Sequence, residues 1–141
     1  MTRYIISAMI GALSAGCMSG SDRVVSSMNF LQAPVDPSCA LAALRDEEGF
    51  AVLTPYYRDQ GAYRIDARFN EDLPVTVLIR RYDDGSAEVS SFSKLPADAT
   101  PLTERKAGFA IRAADEVIYR QCTADGQIEP GGAAVVIDPQ E

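Results

Sequence analysis

Residues 63–92 read YRIDARFNEDLPVTVLIRRYDDGSAEVSSF, and this stretch decides the fold. From Tyr63 to Phe69 apolar residues hold every odd position, while Arg64, Asp66 and Arg68 hold the even ones. A period of two sends the two sets to opposite faces of a strand, one dry and one wet. Val75–Tyr82 is β-branched and rich in apolar residues, which predicts a central strand. Asp83-Asp84-Gly85 is a hairpin signal, since aspartate bonds its own backbone and glycine accepts a positive φ. Ala87–Phe92 then returns as the next strand.

Towards the N-terminus, Asp59-Gln60-Gly61 is a turn, and Phe50–Tyr57 reads as a strand whose later part Pro55 confines to an edge, a bulge or a break. Asp36-Pro37 starts a helix: aspartate caps free backbone N–H groups and proline fits the first helical position. That helix continues through Cys39, Ala40, Leu41, Ala43 and Leu44 and ends near Gly49. Towards the C-terminus, Thr100-Pro101 repeats the helix start. The segment to Cys122 carries Leu102, Phe109, Ala110, Ala113, Ala114, Val117 and Ile118 at helical spacing. Gly108 weakens or kinks it, at about 1 kcal/mol relative to alanine. Residues 133–137, after Gly131-Gly132, are a fifth strand or a loose tail. The order predicts an α+β fold: a small antiparallel sheet of four to five strands, packed against two helices on one face. Residues 36–141 are expected to form a single domain.

Composition narrows the chemistry. The chain has 141 residues, 13 basic and 20 acidic groups, no histidine and a formal net charge of −7. Lack of histidine excludes Ser-His-Asp and Cys-His catalysis, and histidine-ligated zinc. The acidic balance argues against nucleic acid, whose phosphates demand a basic surface. No G-x-S-x-G or phosphate-loop motif is present, and no catalytic residue, metal or cofactor is assigned. Asp83, Asp84 and Glu88 lack the ligand spacing of an EF-hand and are turn chemistry.

The first residues read MTRYIISAMIGALSAGC. Arg3 is a positive n-region, and Tyr4–Leu13 is an apolar run. As a helix that run spans about 15 Å, half of a bilayer's hydrocarbon core of about 30 Å. It is the length of a secretory h-region rather than a membrane span. Ser14-Ala15-Gly16-Cys17 then resembles the lipobox of bacterial lipoproteins, although leucine stands four residues before the cysteine and Ser14 three before. The resemblance implies a signal peptide over 1–16, cut before Cys17, and acyl chains on the Cys17 thiol. The alternative is an ordinary signal peptide with Cys17 an incidental thiol. Two or more chains anchor a protein stably where one does not. Met18 follows, not the aspartate associated with inner-membrane retention, so the resemblance implies an outer-membrane protein facing the periplasm. Residues 17–35 are expected to be the lipidated N-terminus and a polar tether, reaching about 60 Å when extended. The alternative is a short amphipathic helix carrying Val24, Val25, Met28 and Leu31, which folds on a partner.

Export implies an oxidising compartment, and assigning Cys17 to lipid leaves Cys39 and Cys122 as a disulfide pair. Antiparallel neighbouring helices would bring them together; two buried free thiols or a redox pair are the alternatives. Tyr57, Arg64, Arg68 and Arg80 are the candidate ligand or partner contacts. Arg64 and Arg68 share a strand face with Asp66 between them, which ordinary charge pairing also explains. The expected function is a membrane-anchored, non-catalytic scaffold or interaction subunit of an envelope assembly, bound to a protein partner. The rival is a periplasmic module that binds a lipid, a peptidoglycan fragment or an anionic small molecule.

Overall fold

The structure, a computed structural model, describes residues 22–123 and the backbone of 135–137. Its elements are β1 (Arg23–Leu31), α1 (Pro37–Asp46), β2 (Phe50–Val52), β3 (Tyr57–Asp59), β4 (Ala62–Phe69), β5 (Leu73–Arg81), β6 (Ala87–Leu95), α2 (Pro101–Cys122) and β7 (Val135–Ile137). They form an α+β fold in which every strand pairing is antiparallel. The order across the sheet is β2-β4-β5-β6-β1-β7, with β3 also on β4. β2 and β3 follow one another along the same edge of β4, opposite 67–69 and 62–64, so the strands occupy six positions. That corrects the expectation of four to five.

The extra width comes from β1. Residues 23–31, expected to belong to the tether, are a strand between β6 and β7. Val25, Ser27, Asn29 and Leu31 point inward and are buried. Met28 and Phe30 point outward and are 55% and 67% exposed. Two inward positions are polar and two outward ones are large and apolar, so the alternation that marks β4 is scrambled in β1. The expected signal peptide over 1–16, Cys17 and residues 18–21 lie outside the described residues. The C-terminal run forms β7, opposite residues 24–26 of β1.

The turns follow their residues. Gln60 and Gly61 both have positive φ, as a two-residue hairpin loop between β3 and β4 requires. Between β5 and β6, Asp84 Oδ1 accepts from the Ser86 N–H at 2.9 Å, and Gly85 takes φ +84°. Both helices begin as read: Asp36 accepts from the Ser38 N–H, and Thr100 Oγ1 from the Thr103 N–H.

Both helices pack into the core formed by the inward strand residues, among them Ile65, Val77, Ile79 and Val89. α2 is continuous through Gly108. Its buried face is Ala107, Ala110, Ile111, Ala114, Asp115, Val117, Ile118 and Tyr119. Leu102 and Phe109, expected on that face, are instead 54% and 65% exposed. Cys39 in the first turn of α1 and Cys122 at the end of α2 form a disulfide, with Cα atoms 5.8 Å apart. The loop between them is long, so chain-entropy arguments give it about 4–5 kcal/mol of stabilisation.

One polar group is set into this core. Asp115 on α2 is 2% exposed. Its Oδ2 accepts from Ser27 Oγ at 2.6 Å and from Asn29 Nδ2 at 3.3 Å, and its Oδ1 from Ser91 Oγ at 2.5 Å. Burial pushes its carboxyl above the ordinary range, against the three bonds, which pull it down. The polar inward positions of β1 are thus donors to a carboxylate on the helix above. They fix which residues of β1 meet which turn of α2.

Candidate functional site

With both helices on one face, the even positions of β4, β5, β6 and β1 form an opposite face that no described element covers. The register arranges its residues in rows. Tyr57, Arg64, Leu78, Ser90 and Met28 lie across β3, β4, β5, β6 and β1 in turn. Asp66, Thr76, Phe92 and Ser26 make a second row. Arg80, Glu88 and Phe30 make a third.

The structure therefore puts all four candidate contact residues, Tyr57, Arg64, Arg68 and Arg80, on this open face. It joins two of them. Asp66 Oδ1 accepts from Thr76 Oγ1 at 2.9 Å and from Arg64 Nε at 3.0 Å; Asp66 Oδ2 accepts from Tyr57 Oη at 3.1 Å. Arg64 Nη1 also reaches Asp59 Oδ2 at 3.3 Å. Partial burial raises the Asp66 carboxyl, but the bonds from Thr76, Arg64 and Tyr57 outweigh it and hold the group below the usual carboxylate range. Desolvation and the bond to Asp66 push the Tyr57 phenol up, and the Asp66 bond does the same for the Arg64 guanidinium. Arg64 is thus a neutralised member of a closed cluster rather than a free anion receptor. Arg68 lies opposite Pro74 and Arg80 opposite Glu88, both away from that cluster. Glu88 also accepts from Tyr82 Oη at 2.9 Å, which raises the Tyr82 phenol.

Beside these clusters the face exposes large apolar side chains. Met28 and Phe30 are more than half exposed on β1, as is Leu53 beside β2. A hollow of about 350 Å³ is lined by Leu53, Arg64, Asp66, Thr76, Phe92 and Lys94. A second, of about 450 Å³, adjoins it through Pro74 and Lys94 and is lined by Arg68 and Pro96 as well. Asp66 and Glu88 already accept hydrogen bonds from neighbouring side chains, whereas Asp72 also lines the second hollow.

Sequence reasoning placed Met28 only on the alternative partner-binding helix and missed Phe30, because residues 17–35 read as a tether, and it missed Asp115. For Asp115 a signal was present: it falls on the buried face of α2, four residues after Ile111 and four before Tyr119.

No family model matches the chain, and no curated protein matches it. Among solved structures, protein CV1439 from Chromobacterium violaceum is similar, at 19% identity over 68% of this chain and 94% of that chain, with a TM-score of 0.37.

Proposed function

We propose that this chain is a lipid-anchored bacterial envelope protein, acylated on Cys17 and held at the outer membrane facing the periplasm. On this reading it is a non-catalytic subunit that docks a protein partner on its open sheet face. The observation that carries the docking is Met28 and Phe30, exposed side by side on β1 of an otherwise satisfied face. Large apolar side chains clustered in the open with a polar rim mark interaction surfaces. The anchor rests on the Ser14–Cys17 lipobox resemblance. Among the described residues no helix is long and apolar enough to cross a membrane. Crosslinking in intact envelopes, with a photoreactive residue at position 30, tests the docking. A stoichiometric protein adduct is expected, and its absence overturns the scaffold role.

A second reading, a site for an anionic small molecule, is favoured by the two adjoining hollows that share Lys94. Their volumes fall in the range of small-ligand pockets. Native mass spectrometry of the purified protein separates the two readings: a retained small molecule supports this one, and a bare mass supports the scaffold.

A further inference from the structure

The proposed anchor and the fold together define which side of the domain meets the bilayer. β1 begins at Arg23, six residues after Cys17, so the chain between them spans at most about 20 Å. Arg23 lies directly under the first turns of α2: its side chain pairs with Glu104, and its Nη1 also reaches the Ala99 carbonyl at 3.4 Å. A chain tethered this closely holds the start of α2 near the membrane surface.

The solvent side of that half-helix has an unusual composition. Leu102 and Phe109 are seven residues apart, two turns along one face, and both are more than half exposed. Arg105, Lys106 and Arg112 are exposed around them, and no exposed carboxylate falls on α2 before Glu116. Glu104 is committed to Arg23. Phe109 lies 5.9 Å, ring to ring, from Phe69 at the mouth of a cavity of about 400 Å³, which Arg105 and Lys106 also line, with Asp72 its one carboxylate. In a chain with a net charge of −7 this is a local cationic and apolar strip. Large apolar residues interleaved with basic ones on an exposed helix face are the make-up of an interfacial helix, whose apolar side chains enter the headgroup boundary while cations meet lipid phosphates.

We propose that the N-terminal half of α2, through Leu102, Arg105, Lys106, Phe109 and Arg112, rests on the anionic lipid surface of the membrane that holds the acyl chains. This rests on the lipid-anchor reading. The acyl chains supply the attachment and the strip sets the orientation, with the helix layer toward lipid and the open sheet face away from it.

The chain has no tryptophan, so a single introduced one reports its own surroundings. Phe109→Trp and Phe30→Trp replace side chains of similar exposure on opposite sides of the domain. The full-length acylated protein is reconstituted in phosphatidylethanolamine–phosphatidylglycerol vesicles containing lipids brominated near the glycerol. Tryptophan at 109 is expected to shift to the blue and to emit about twofold more weakly than in unbrominated vesicles. Tryptophan at 30 is expected to be unchanged, and Arg105→Glu/Lys106→Glu to restore the emission at 109. Equal quenching at both positions, or quenching at neither, overturns the proposed orientation, as does a blue shift at 109 that grows with protein concentration instead of with brominated lipid. The mass of the Cys17 peptide is measured on the same sample. An unacylated Cys17 overturns the anchor reading and this one with it, whereas acylation with an unquenched position 109 overturns the orientation alone.

Discussion

Replacing Asp115 by alanine and by asparagine separates the charge of the buried carboxylate from its role as an acceptor. The side chain accepts hydrogen bonds from Ser27, Asn29 and Ser91, all of which are themselves buried. Asp115→Ala leaves three donors without a partner. Each orphan costs about 1–3 kcal/mol, and the serine hydroxyls recover part of that by turning to other acceptors, so a total of about 3–5 kcal/mol is expected. Against a typical stability of about 5–15 kcal/mol, that leaves a marginal fold. Asp115→Asn keeps the volume and two acceptor lone pairs, and a serine hydroxyl can accept from its amide, so its cost is about 1 kcal/mol. The pH dependence supplies a second reading of the same site. Because burial raises the folded carboxyl above its ordinary value of 3.8, the native state holds this proton more tightly than the unfolded chain does. The contribution is therefore fully present below pH 3.8 and is lost as pH rises through the folded value. The stability difference between the native chain and Asp115→Asn should shrink over that rise. Urea unfolding followed by circular dichroism, at a series of pH values with the disulfide intact, measures both effects. Parallel curves for the native chain and Asp115→Asn, together with an alanine cost under about 1 kcal/mol, would refute the buried acceptor.

Three further outcomes are expected. Cys39→Ser/Cys122→Ser should lower stability by about 2–5 kcal/mol in urea unfolding, and an unchanged midpoint would show that the loop closure contributes nothing. Met28→Ser/Phe30→Ser should leave the unfolding free energy within about 0.5 kcal/mol of native, since both side chains are exposed, while abolishing partner capture in envelopes. Asp66→Asn should bring the Tyr57 phenol back toward its ordinary value in a spectrophotometric titration, because its acceptor loses the charge that holds the proton. A phenol titration identical to that of the native chain would show that the Tyr57–Asp66 bond is absent in solution.

The strands that could be read were those with one consistent wet face. β4 declares itself through Arg64, Asp66 and Arg68 against Ile65, Ala67 and Phe69, and the β5–β6 hairpin through Asp84 and Gly85. Both helix starts were legible because the capping residue and proline act locally. β1 was not, for a physical reason. Its inward serine and asparagine are buried only because Asp115, about ninety residues later, accepts from them, and no local pattern carries that information. The same limit applies to α2. Its apolar residues outnumber what one face can bury, and the sheet, not the helical period, decides that Ala107 and Ile111 go in while Leu102 and Phe109 stay out. Of the candidate contacts, placing Tyr57, Arg64, Arg68 and Arg80 on one face followed from strand period. That Arg64 is already neutralised by Asp66 and Asp59 required the register.

β1 joins these separate features into one device under the proposed anchoring. Its first residue sits at the membrane-proximal end, bonded to the loop before α2 and to Glu104. Its inward side chains bind the middle of α2 through Asp115, and its outward Met28 and Phe30 form the docking patch. A strand rises about 3.3 Å per residue, so Phe30 lies about 23 Å along β1 from Arg23. A contact residue on a rigid strand is held at a fixed position relative to α2, which a flexible tether of the same length could not impose. The buried polar network then has a use that an apolar core would serve less well. Sliding β1 by two residues keeps the inward set inward, yet brings Val25 or Leu31 to Asp115 in place of one of its two β1 donors. Apolar packing alone penalises such a slip weakly, whereas the hydrogen bond lost at the buried carboxyl adds about 1–3 kcal/mol. The network therefore helps to fix the register of the strand that carries the docking patch relative to α2.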